Sequence, residues 1–157
     1  MLRSVAIILA LTAGGAFAES LKQSDVKAIQ AAEKQMLVSP VVVPLSGGRF
    51  DVSFVMTMKT EGLRDFAMQA AGSHLPFGVG NCVAASYAQT NGATQVALIG
   101  GGSKGVAADG WLPMDANLEY STVNTPIGGS FDVEQKLGEC VGLSMSSDYK
   151  IQKAGTE

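Results

Sequence analysis

From Arg49 to Lys59 the chain reads R-F-D-V-S-F-V-M-T-M-K, and its apolar residues fall on alternate positions: Phe50, Val52, Phe54, Met56 and Met58. Successive side chains of an extended chain point to opposite faces. The alternation therefore predicts a half-buried strand with Asp51, Ser53, Thr57 and Lys59 mostly on its other side. Just upstream, V-V-V-P-L-S followed by Gly47-Gly48 predicts a partner strand joined through a tight glycine turn, a hairpin over about 41–59. Pro44 has no amide to donate, which places that partner strand at a sheet edge or turns Pro44 outward.

Helical periodicity occurs twice. L-K-Q-S-D-V-K-A-I-Q-A-A-E-K-Q-M-L-V predicts an N-terminal helix over about 20–38, with Ser20 or Ser24 as cap and Ser39-Pro40 as stop. A second helix is predicted over about 61–72, where Leu63, Phe66, Ala67 and Ala70 share one face, Thr60 caps and Gly72 ends the run. S-H-L-P-F-G-V-G-N reads as a loop because of its proline and glycines. N-C-V-A-A-S-Y-A-Q, Asn91-Gly92 and A-T-Q-V-A-L-I read as a hairpin, since an N-G pair joins two apolar runs. Further strands are expected at A-N-L-E-Y-S-T-V, S-F-D-V-E-Q-K, C-V-G-L-S-M-S and Tyr149–Ile151, giving an antiparallel meander over about 82–151.

These elements predict an α+β domain: one predominantly antiparallel, twisted sheet of about 7–8 strands, open to curling toward a partial barrel, with an N-terminal and an internal helix. Strands do not alternate with crossover helices, so a dinucleotide-binding fold is excluded. One phrase recurs: P-L-S-G-G-R-F-D-V begins at Pro44 and P-I-G-G-S-F-D-V at Pro126. Shared turn chemistry accounts for the likeness, because a strand follows one copy where a helix follows the other's counterpart. An old duplication is the alternative.

The first 18 residues change the picture of location. M-L-R-S-V-A-I-I-L-A-L-T-A-G-G-A-F-A carries a basic residue, a short apolar run from Val5 to Leu11 and an A-x-A site before Glu19, the pattern of a secretory signal peptide over 1–18. Residues 19–157 are then one domain of a periplasmic or secreted protein of the bacterial envelope. No later stretch is apolar enough to span a bilayer. The formal net charge is −3, and Arg3 leaves with the leader. With no basic cluster, nucleic acid is excluded as a partner and an anionic membrane surface is disfavoured. In an exported chain the two cysteines, Cys82 and Cys140, predict a structural disulfide.

Candidate chemistry is sparse. G-G-G-S-K-G, Gly100 to Gly105, lacks the order and following helix of a phosphate loop and reads as a flexible hairpin loop. Its amides and Lys104 still suit an anionic group at a rim. Ser103, Lys104 and Trp111 are thus the candidate ligand-binding residues, Trp111 as a platform for sugar or peptide or as a core residue closing one end of the sheet. Asp109, Asp115 and Glu119 flank Trp111 and supply carboxylates for a hydrolytic alternative. Met56 and Met58, with His74 and Trp111, suggest a soft-metal site for Cu(I), but Phe50, Val52 and Phe54 continue the same stripe and make the methionines core filler. A single histidine leaves little material for triads or zinc sites, and no cofactor is indicated. The expectation is a non-catalytic binding or accessory protein for a protein, peptide or cell-wall partner. A small exported enzyme on cell-wall or protein substrates and a copper carrier are the alternatives.

Overall fold

The computed structural model describes residues 6–7, 37–38, 40–59, 74–106, 111–141 and 148–155. In chain order the elements are β1 (Ala6–Ile7), β2 (Leu37–Val38), β3 (Val41–Pro44), β4 (Arg49–Lys59), α1 (His74–Thr90), β5 (Gln95–Val106), β6 (Trp111–Thr122), β7 (Ser130–Asp132), α2 (Val133–Glu139) and β8 (Lys150–Ile151). They form a mixed α+β unit with one open, mostly antiparallel sheet. Six strands follow one another in the order β1-β5-β6-β4-β3-β8, while β2 attaches to β4 and β7 to β5. The exception to antiparallel pairing is β8, which runs parallel to β3. Among the described residues no helix is long and apolar enough to cross a membrane.

The first hairpin forms where the alternation predicts it. Gly47 and Gly48 take φ of 71° and 75°, the left-handed region that a side chain disfavours, and turn β3 onto β4. Phe50, Val52 and Phe54 are buried, whereas Asp51 and Ser53 are half-buried and Val55 is exposed on the opposite face. The hairpin also extends further back than expected. Leu37 and Val38 pair with Thr57 and Met56 in the same register that sets Val41 opposite Ser53. These two residues are therefore strand, not the end of a helix. Pro40, which cannot donate to a ladder, stands at the interruption between β2 and β3. The rest of the expected N-terminal helix, the expected helix over 61–72, Asp109 and most of the expected leader lie outside the described residues.

The principal correction concerns residues 74–92. The segment read as a loop and a hairpin strand is one helix, α1. Pro76 is tolerated because it lies in the first turn, where an amide has no helical partner. Asn91-Gly92 terminates the helix instead of turning a hairpin. Gly92 has φ 72°, its amide donates to Gln89 O and that of Ala93 donates to Ala88 O, the paired bonds of a Schellman ending. The helix misled because Val79, Gly80, Asn81, Cys82, Val83, Ala84 and Ala85 are all buried, so no polar stripe alternates with the apolar one.

Helix α1 lies across the core face of β4, β5 and β6. Gly80 makes the approach possible: a Cβ there would overlap Leu118 Cδ1 and stand 2.7 Å from Tyr120 Oη. Beside it, the buried Tyr120 hydroxyl donates to Asn81 Oδ1 at 2.9 Å, joining helix to central strand. Burial pushes the Tyr120 phenol well above its ordinary range, which keeps it a donor. Phe50 stacks on Tyr120 with ring centroids 5.6 Å apart, and Phe131 meets the same ring edge-on at 6.5 Å. The two phenylalanines of the repeated phrase thus pack on one tyrosine.

The second copy of that phrase diverges after its phenylalanine. Gly129 again has positive φ, 79°, but β7 pairs with β5 and not with β6, so the second glycine hairpin is a crossover. Asp132 accepts from the Gln135 amide at 2.8 Å and caps α2, where a strand was expected. Cys82 and Cys140 are bonded, with Cα atoms 5.9 Å apart. Both were expected at strand entries. Instead the bridge ties the middle of α1 to the C-terminal end of α2. Val141 lies in a turn, and the remainder of C-V-G-L-S-M-S is outside the described residues. The short final strand is present as β8.

Candidate functional site

With one sheet face committed to the core, the candidate surface is the other face of β4, β6 and β5. Strand alternation puts Arg49, Asp51, Ser53 and Val55 of β4 there, beside Ser121, Glu119, Asn117 and Asp115 of β6. Arg49 Nη1 donates to Glu119 Oε1 at 3.2 Å, and Ser53 Oγ donates to Asn117 Oδ1 at 3.1 Å. Asp51 stands directly opposite Glu119. Its carboxyl is held above the ordinary value, first by partial burial and then by the Glu119 charge, with Arg49 pulling the other way. The row is therefore one cation against three carboxylates, with two hydroxyls, an amide and the exposed Val55.

The glycine run supplies the third strand of this face and corrects the loop reading. G-G-G-S-K-G is not a hairpin loop: β5 continues through it to Val106. The register with β6 slips by one residue between Leu98 and Gly100, leaving Ile99 as the extra residue of a bulge. Gly101 has φ 95°, and a Cβ on it would overlap the Asn117 carbonyl. Gly101 thus serves a close, irregular backbone crossing. Gly100 and Gly102 then face Glu119 and Asn117 across the ladder and add no side chain to the surface.

Strand alternation separates two of the candidate residues. Ser103 is opposite Ala116, a core-face position, whereas Lys104 is opposite Asp115 on the outer face. Trp111 opens β6 in register with Lys59. It is four residues from Asp115, about 13 Å along an extended strand. Of the candidates, Asp115 and Glu119 stand on this face, Lys104 and Trp111 are register positions of β5 and β6, and Ser103 stands opposite a core-face position. Arg49, Asp51, Ser53 and Asn117 were not singled out from sequence, although the polar half of the F-D-V alternation already pointed to two of them.

The remaining candidates fall elsewhere. Met56 and Met58 continue β4 in register with Met114 and Leu112, and His74 begins α1. Among the described residues no group of three or more His, Cys, Asp or Glu is placed to hold a metal. Comparison with protein families, with characterised proteins and with solved structures returns no match.

Proposed function

We propose that this chain is an exported, non-catalytic binding protein that engages a cell-wall glycan across the outer face of β4, β6 and β5. One observation carries the reading: hydroxyl, amide and charged side chains of Arg49, Asp51, Ser53, Asn117 and Glu119 share this face beside a strand whose Gly100 and Gly102 add no side chains. Such a row offers donors and acceptors at strand spacing, with Arg49 and Glu119 already paired to each other, which suits a hydrated, extended polymer. Trp111, which opens β6, adds an aromatic residue of the kind that stacks on a sugar ring. The buried disulfide agrees with an oxidising compartment.

The test is co-sedimentation of the purified protein with insoluble peptidoglycan. Asn117→Ala and Trp111→Ala should each lower retention several-fold while leaving the melting temperature unchanged, and retention equal to wild type in both would remove the face from consideration. Asp51 opposite Glu119 favours one second reading, a hydrolase of the same polymer. Release of soluble fragments that stops in Glu119→Gln would establish it in place of simple binding.

A further inference from the structure

The outer edge of β5 is covered unevenly. Among the described residues, β7 pairs with Gln95–Ala97 at one end and β1 pairs with Gly105–Val106 at the other. Between them lies the bulge at Ile99, after which the ladder to β6 is regular from Gly101 to Gly105. An extended edge presents a row of amide and carbonyl groups, and such a row is a template for another strand. Here the template is already used once by the chain itself, because Ala6 sits opposite Val106 and Ile7 opposite Gly105 in antiparallel register.

Ala6 and Ile7 lie inside the apolar run from Val5 to Leu11 that marks residues 1–18 as a leader. Cleavage before Glu19 would take β1 away and leave Gly105 and Val106 without a strand on that side among the described residues. We propose that the β5 edge over Gly102–Val106 is a strand-docking site, occupied by Ala6–Ile7 before processing and afterwards by an extended apolar peptide of a partner. The proposal goes beyond the glycan-binding face and rests on the reading of residues 1–18 as a cleaved leader.

The chemistry of the occupant follows from what the edge already accepts. Main-chain hydrogen bonds supply affinity in strand addition, and alternate side chains supply selectivity. The resident pair is one small and one β-branched apolar residue. On β5 itself, Gly102, Ser103 and Gly105 carry little or no side chain beside Lys104, and among the described residues nothing lies within 4 Å of where a Cβ on Gly102 would be. An incoming strand can therefore approach closely and lay small or branched apolar side chains over these positions. The bulge at Ile99 and the positive φ of Gly101 end the regular ladder, so the docked segment is short, about five residues.

The test uses the chain recovered after export. Intact mass first establishes whether it begins at Glu19. A synthetic peptide of residues Arg3–Ala10 is then titrated in, with hydrogen exchange read amide by amide. The expected result is saturable binding and exchange slowed by about tenfold or more at Gly102–Val106, with no slowing by the same peptide carrying Ile7→Pro, which lacks one amide. Processed chain whose Gly102–Val106 amides are unmoved by the peptide overturns the docking site and leaves the leader reading intact. Recovered chain still carrying residues 1–18 overturns the leader reading and, with it, the vacated edge. Slowing of the same amides by self-association alone assigns the edge to a second copy and overturns the peptide partner.

Discussion

Replacing both bridge cysteines, Cys82→Ala with Cys140→Ala, tests how much of the stability rests on a single covalent tie. The closed loop spans 58 residues. For a loop of that length, loss of unfolded-state entropy is worth about 4 kcal/mol in the chain-entropy model. Both residues are buried, so removing two sulfurs adds a smaller packing loss of the order of 1 kcal/mol each. Against the roughly 5–15 kcal/mol of a typical domain this is a large share. At about 3 °C per kcal/mol for a chain of this size, the melting temperature should fall by about 12–18 °C. Circular dichroism melts and urea titrations of wild type, reduced wild type and the double variant measure it. The reduced protein should come close to the double variant, and the urea m-value should rise when the bridge is lost, because the unfolded chain expands. A fall of less than about 4 °C, or an unchanged m-value, would refute the entropic account and show that packing of α1 against α2 carries the stability without the bond.

Two further outcomes concern the sheet. Tyr120→Phe removes the donor to buried Asn81 Oδ1 and leaves that acceptor unpaired, so chemical denaturation should show a loss of about 1–3 kcal/mol; a loss under about 0.5 kcal/mol would mean that Asn81 re-pairs. Asp51 has a folded-state carboxyl held above its ordinary 3.8. The folded protein therefore keeps the proton to higher pH than the unfolded chain, and this group's contribution falls as pH rises through and above that value. Asp51→Asn should accordingly stabilise by about 0.2–1 kcal/mol at neutral pH, as relief of directly opposed like charges implies, and by nothing at pH 3, which paired melts at the two pH values would check.

How much was legible follows from where each element's burial comes from. The β4 strand needs only its own alternation: Phe50, Val52 and Phe54 go to one side whatever covers them, so strand, face and polar row were readable locally. The two cysteines were readable in the same way, because a chain with two thiols has one intramolecular pairing. Helix α1 was not. Val79 to Ala85 are buried almost without interruption, since β4, β5 and β6 cover one side and α2, tied through Cys140, covers another. A segment enclosed in this way loses the polar stripe that marks a helix, and its β-branched and small residues resemble a strand. Asn91-Gly92 likewise provides a left-handed glycine to a hairpin and to a helix end alike; the carbonyls of Ala88 and Gln89 decided between them. The same holds for Gly100 to Gly102. Composition alone says flexible loop, but only pairing with β6 brings the Asn117 carbonyl so close that Gly101 must lack a side chain. Residue types and local periodicity set which faces are apolar, whereas the assignment of ambiguous small-residue segments to helix, bulge or strand required the neighbours that bury them.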